Sequence, residues 1–176
     1  MTAADADPPM PAVPRGLAPA PLPRERIAGL TGRQVLEMMR AGELPPAPFA
    51  LVMGMELLEV EEGRVVFAGR PAANFLNPLG TVHGGWTATL LDSAMGCAVH
   101  SILPPGRLYT TTSMTVNYVR ALPGDGEAVR CEASVVHAGG RLATSEGRLW
   151  DAQGRLVAHG SETCMVFDAP PPRPPG

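Results

Sequence analysis

Asp92 is the one acidic residue between Gly63 and Gly124, and it stands inside the apolar run Trp86-Thr87-Ala88-Thr89-Leu90-Leu91-Asp92-Ser93-Ala94-Met95. A carboxylate among apolar neighbours is costly to bury unless it has partners or a task. Just upstream lies Asn77-Pro78-Leu79-Gly80-Thr81-Val82-His83-Gly84-Gly85. Two glycines opening a helix leave their N–H groups without intrahelical acceptors at the positive end of the dipole, where they can donate to a carbonyl oxygen becoming an oxyanion. The missing Cβ also lets a substrate approach the backbone closely. A carboxylate and such donors together suit attack on an acyl carbon, with Asp92 either activating water or attacking as a nucleophile.

Spacing adds a constraint. Asp92 lies eight residues beyond Gly84, which is roughly 12 Å along a helix rising 1.5 Å per residue. One carbonyl needs its oxyanion donor and its attacking group within a few ångströms of it, so these two groups of one chain cannot serve the same substrate. A second subunit must contribute. If two such helices pack antiparallel about a two-fold axis, Asp92 of one meets Gly84 and Asn77 of the other, giving two equal sites per homodimer.

The elements that position these residues are legible in outline. A helix from about Gly84 to Ser101, closed by Pro104-Pro105-Gly106, is apolar nearly all round, the pattern of a helix surrounded by protein. Thr31 is a plausible N-cap for one short amphipathic helix through Met39, stopped at Gly42 with Pro45 and Pro46 beyond. A hairpin is expected from strands at 51–60 and 64–68 around Glu61-Glu62-Gly63. Further strands at 109–119, 127–136, 141–150 and 155–167 are joined by connections too short for parallel crossovers, so they should form an antiparallel meander. The fold class is α+β: one long central helix wrapped by an antiparallel sheet. Prolines dominate both ends, so the expected organisation is a disordered Pro/Ala-rich extension over 1–30, one domain over 31–168 and a Pro-rich tail over 169–176.

Composition narrows the partners. The chain has 176 residues, a net charge of −3 and a pI near 5.8, which give no general electrostatic reason to expect nucleic acid or an anionic membrane. Cys97, Cys131 and Cys164 are widely separated with no metal-ligand rhythm, so they read as small buried thiols of a cytoplasmic protein, and no metal is expected. His100, His137 and His159 likewise lack ligand spacing.

The Asn-x5-His-Gly-Gly-x6-Asp pattern, the strand Thr110-Thr111-Thr112-Ser113-Met114-Thr115-Val116-Asn117-Tyr118, Arg120 and the Gly139-Gly140-Arg141 turn resemble the hotdog-fold acyl-CoA thioesterases of the phenylacetate-degradation type. The resemblance covers about residues 45–167. It implies hydrolysis of an acyl-CoA, of aryl or phenylacetyl type among the candidates, to free acid and CoA with no separate cofactor. It places the thioester carbonyl on the Gly84 N–H, with Gly85 beside it, gives Asn77 the attacking water or the substrate, and lets His83 assist orientation. It sets a hydroxyl residue of the next strand beside the acid; Thr111 aligns best, with Thr110 and Thr112 one step away in register. Arg120, Arg141 and Arg107 are candidates for the phosphates of CoA because guanidinium is well matched to them, and the resemblance favours the Gly140-Arg141 turn among these. The acyl pocket would draw on apolar residues such as Phe75, Leu76, Trp86 and Met95. Dimers would pair into a homotetramer. The rival reading on the same fold is a non-catalytic acyl-CoA sensor, which predicts a DNA-binding segment or a lost acid; this chain keeps Asp92 and shows no basic helix-turn-helix.

Overall fold

A computed structural model describes residues 17–170. Residues 1–16 and 171–176, where most of the two expected tails fall, lie outside the described residues. The described elements are α1 (Arg24–Ile27), α2 (Gly32–Arg40), α3 (Pro48–Met53), β1 (Met55–Glu61), β2 (Arg64–Gly69), a 3-10 turn (Ala73–Phe75), α4 (Gly84–Ser101), β3 (Arg107–Tyr118), β4 (Val129–Ala138), β5 (Leu142–Trp150) and β6 (Leu156–Asp168). No helix among them is long and apolar enough to cross a membrane.

The centre is α4, 18 residues without a break. Leu90, Leu91, Ala94, Met95 and Ala98 are fully buried along it, packed with Val65, Cys131, Leu149 and Val157 of the surrounding strands. The sheet is antiparallel throughout, in the order β1-β2-β4-β5-β6-β3. This corrects the expected meander in one respect. Strands β4, β5 and β6 do follow one another, but β3 pairs with β6 at the far edge of the sheet rather than with β4. The segment between β3 and β4 is antiparallel in sense yet crosses to the other side, pinned by the Val82 N–H donating to the Leu122 carbonyl at 3.1 Å. Loop length alone distinguishes hairpins from parallel crossovers; it does not say which strand is the neighbour.

The N-terminal helices differ more. Thr31 caps α2 as the sequence suggests, its side chain accepting from the Gln34 N–H while Gln34 reaches back to the cap. The run Phe49-Ala-Leu-Val-Met53, expected to begin a strand, is instead helical. Pro48 sits at the first helical position and Gly54 ends the turn with φ 64°, the Pro-before, Gly-after arrangement that favours a helix. A continuous apolar run carries no period to choose between the two states. Part of the extension expected to be disordered also holds structure: Arg24–Ile27 forms a helical turn.

These helices close over one side of α4. Trp86 Nε1 donates to the Met53 carbonyl at 2.8 Å, tying α3 to the start of α4. At the other end, the Gly32 N–H donates to the Leu103 carbonyl at 2.9 Å, and Gly32 lies so close to α4 that a Cβ would overlap the His100 carbonyl oxygen. Neither partner is a flexible side chain, so Gly32→Ala must push α2 off α4. The expected cost is about 2 kcal/mol, the usual range for overpacking, seen as a lower Tm in thermal unfolding; an unchanged Tm would show that α2 is free to shift.

Candidate active site

Both groups singled out by spacing lie on α4, Gly84 as its first residue and Asp92 midway. At the Gly84 end, His83 is the N-cap, and its Nδ1 accepts the Gly85 N–H at 2.9 Å. This corrects the expectation that both glycines are open donors: the Gly85 N–H is already taken. The Gly84 N–H has no protein acceptor among the described residues. It is therefore the available donor at the positive end of the helix. Tyr118 fixes it from behind, its hydroxyl donating to the Gly84 carbonyl at 2.9 Å while its ring lies where a Gly84 Cβ would come within 3.2 Å.

Asn77 organises the loop that delivers the chain to Gly84. Its Oδ1 accepts from the Leu79 and Thr81 N–H groups at 2.9 and 3.2 Å, and its Nδ2 donates to Thr81 Oγ1 at 2.7 Å. Asn77 is thus a turn former in this chain, with one Nδ2 hydrogen left to offer.

At the acid end, Asp92 is half-buried, and Thr111 Oγ1 stands 3.3 Å from its Oδ1. A β-bulge makes this possible. Thr111 is opposite Cys164 and Ser113 is opposite Thr163, so Thr112 is the extra residue, its hydroxyl donating to the Thr163 carbonyl at 2.9 Å. The bulge shifts the alternation of β3, so Tyr109 and Thr111 face α4 before it and Met114 and Val116 after it. That resolves the register: Thr111, not Thr110 or Thr112, meets the acid.

The strand also brings a residue that sequence reasoning misses. Glu162 of β6 is 1% exposed, and its Oε1 lies 2.8 Å from Thr111 Oγ1 and 3.0 Å from Cys164 Sγ. Burial pushes its carboxyl above the ordinary range; hydrogen bonds from Cys164 and Thr111 pull the other way, and the nearby charge of Asp92 raises it further. A signal exists. Ala158, Gly160, Glu162, Cys164 and Val166 share the buried face of β6, and an acid at such a position breaks the period-two pattern.

A cavity of about 260 Å³ opens beside Asp92 and Thr111, walled by Leu36, Met39, Leu51, Leu57 and Phe67. Cys97 also reaches it, but burial pushes that thiol up to about 12. That shift works against the thiolate form a nucleophile needs. Of the residues expected to line the acyl pocket, Met95 is in the core, while Phe75, Leu76 and Trp86 line a separate groove of about 460 Å³ beside His83 and Gly85.

The arginines are divided. Arg120 is exposed and shares a surface depression with Gly84 and Tyr118. Arg141 and Gly140 belong to the β4–β5 turn, where Arg107 Nη2 donates to the Gly140 carbonyl at 2.7 Å and the Val166 N–H to the Arg141 carbonyl at 2.8 Å. That turn sits by the first residue of β3, whereas Arg120 follows its last. The 12 residues of β3 span roughly 40 Å at 3.3 Å each, so within one chain the two arginines do not share a ligand.

The chain is similar to known thioesterases in sequence and in fold. Residues 79–158 match the family model of the thioesterase superfamily. The human acyl-coenzyme A thioesterase 13 is 32% identical over 118 residues, 65% of this chain and 82% of its own length. The Escherichia coli medium/long-chain acyl-CoA thioesterase YigI is 28% identical over 156 residues, 79% of this chain and 98% of its own. Among solved structures, a variant of the phenylacetic acid degradation protein PaaI from Thermus thermophilus superposes with a TM-score of 0.62 at 31% identity, covering 67% of this chain and 97% of that one.

The His83 cap carries its own test. His83→Ala removes the acceptor of the Gly85 N–H, and the expected loss is about 1 kcal/mol of stability in urea unfolding. His83→Asn, which offers an oxygen to the same N–H, should recover most of it; equal losses in both variants would mean the cap contributes nothing.

Proposed function

We infer the reaction from the family: the chain belongs to the thioesterase superfamily and is a hotdog-fold acyl-CoA thioesterase of the phenylacetate-degradation type, a thioester hydrolase. The substrate we propose is an acyl-CoA with an apolar acyl group, phenylacetyl or a medium alkyl chain, seated in the cavity beside Asp92. The apolar walls of that cavity support this, as does the name of the relative YigI, which acts on medium and long chains. The observation that carries the mechanism is the pair of unspent groups on one unbroken helix: the open Gly84 N–H and the Asp92 carboxylate held by Thr111.

The two work on one substrate when α4 helices of two subunits lie antiparallel. The long edge strand β3, with β6 as its only neighbour among the described residues, offers the surface on which a second copy can pair. The thioester oxygen then accepts from the Gly84 N–H of one subunit, with the spare Nδ2 hydrogen of Asn77 nearby. In the other subunit, Thr111 holds Asp92 Oδ1, and the second carboxylate oxygen takes a proton from water. The water oxygen bonds to the carbonyl carbon, and the oxyanion rests on the Gly84 N–H. Collapse breaks the C–S bond, and the proton held on Asp92 passes to the departing CoA thiolate. His83 and Gly85 keep the helix start in place, Arg120 meets a CoA phosphate on the Gly84 side, and the Gly140-Arg141 turn contacts the nucleotide from the other chain. No further cofactor enters the cycle.

Thiol release from a panel of acyl-CoA esters tests this reading. Asp92→Asn should lower kcat at least about 100-fold, the range of a lost general base. Gly84→Pro should cost at least about as much, by removing one oxyanion donor and by crowding the Tyr118 ring, which lies 3.2 Å from where its Cβ falls; the backbone accepts proline at this first helical position because His83 before it is already extended, at φ −63° and ψ 134°. Phenylacetyl-CoA and octanoyl-CoA should exceed acetyl-CoA in kcat/KM by at least about tenfold, given roughly 0.8 kcal/mol per buried methylene. Single turnover in heavy-oxygen water should leave Asp92 unlabelled, and label in Asp92 would mean that it attacks directly. Undiminished turnover by Asp92→Asn would overturn the assignment.

A further inference from the structure

Thr111 has one hydroxyl hydrogen and two carboxylates to give it to, Glu162 Oε1 at 2.8 Å and Asp92 Oδ1 at 3.3 Å. The two carboxylate oxygens are therefore no more than about 6 Å apart, within the range where like charges disfavour each other. If Glu162 is ionised, the hydrogen goes to the nearer oxygen and Asp92 loses its only side-chain donor among the described residues. If Glu162 carries a proton on Oε1, it donates to Thr111 Oγ1, and the Thr111 hydrogen is free for Asp92. Of the two, only the second gives Thr111 Oγ1 a donor and Asp92 Oδ1 a hydrogen while leaving Asp92 ionised, as a base must be.

The surroundings of Glu162 favour the neutral form. Facing it are Asp92 and Cys97 from α4, Tyr109 and Thr111 from β3, Ser145 directly opposite on β5, and Cys164 on its own strand. No cation is among them. Its Oε2 is buried without a hydrogen-bond partner, as is Ser145 Oγ. A neutral carbonyl oxygen in that position costs far less than one bearing part of a negative charge.

We propose that Glu162 is a positioning residue acting as a neutral acid: it donates to Thr111 Oγ1, turns the Thr111 hydrogen onto Asp92 Oδ1, and so holds the other Asp92 oxygen toward the substrate water. This rests on the reading of Asp92 as the catalytic base. The chain of donors Glu162, Thr111, Asp92 has one direction when Glu162 is protonated and reverses at Thr111 when it ionises. Rising pH therefore carries a penalty in catalysis. Stability follows the same proton. The folded carboxyl lies above its usual value of 4.5, so the folded state binds the proton more tightly than the unfolded chain does. The wild type is then favoured below about 4.5 and loses stability as pH climbs through the folded value. A glutamine at this position has no proton to lose.

The test is kcat, KM and Tm against pH for the full chain and for Glu162→Gln, Glu162→Leu and Asp92→Asn. Glu162→Leu, with no donor, should lower kcat about tenfold while KM stays within about twofold, the scale of one hydrogen bond to a charged group. Glu162→Gln, whose amide can donate to Thr111, should recover most of that loss, abolish the basic limb of the wild-type kcat profile, and gain Tm over the wild type increasingly as pH rises. Should Glu162→Leu fail to fold, the profile and Tm trend of Glu162→Gln decide alone. A basic limb and a Tm difference that Glu162→Gln leaves in place, in a protein that Asp92→Asn still inactivates, overturn the role of Glu162 only. Activity retained by Asp92→Asn overturns the base reading beneath it.

Discussion

A helix rises by about 1.5 Å per residue whatever its sequence, and the sheet leaves α4 no room to bend toward its own N-terminus. Its buried face meets β2, β4, β5 and β6, and α2 is pinned against its far end at Gly32. The open N–H at Gly84 and the carboxylate at Asp92 are consequently held about 12 Å apart by packing that neither residue can change. Everything proposed about the reaction follows from that separation: each chain supplies half of two sites, and the long unpaired edge at β3 is where a second chain can bring the missing half.

Buried polar groups are few among the described residues, and two of them, Ser145 and Glu162, stand near the acid. Asp92, Thr111, Glu162, Cys164 and Ser145 form a small island between α4 and β3, β5 and β6, with the bulge at Thr112 aiming the hydroxyl inward. In surroundings of low polarity each of these groups is constrained by the protonation of its neighbours, because unsatisfied charge is expensive there. The Gly84 end works by the opposite means. It offers a backbone dipole and a free donor, held by a histidine cap on one side and a tyrosine hydroxyl on the other.

Local rules make much of this legible in the residues. The glycine pair, the apolar circumference and the Pro-Pro-Gly stop locate α4 from Gly84 to Ser101, and Thr31 with Gln34 marks the start of α2. Departures arise where local pattern carries no information. Phe49 to Met53 is uniformly apolar and suits a helix as well as a strand, and only Pro48 and Gly54 tip it. The neighbour of β3 is set by tertiary packing seen in no single loop. Gly85 reads as a donor because helix ends leave N–H groups open, but a cap is what consumes them, and His83 is unusual in that position. Glu162 escapes notice because the single acid of the helix draws the eye from an acid on the buried face of a strand 70 residues away.

The division of one site between two chains is open to a direct measurement. Asp92→Asn and Gly84→Pro proteins, each inactive alone, are mixed under conditions that let subunits exchange, and thiol release is followed while native mass spectrometry counts mixed dimers. In a mixed dimer one site joins the intact Asp92 of one chain to the intact Gly84 of the other, while its twin lacks both. Random exchange makes half the dimers mixed, so activity should climb to about a quarter of the wild-type value. Mixed dimers that form but stay as inactive as their parents would contradict the account, since each chain would then have to complete its own site.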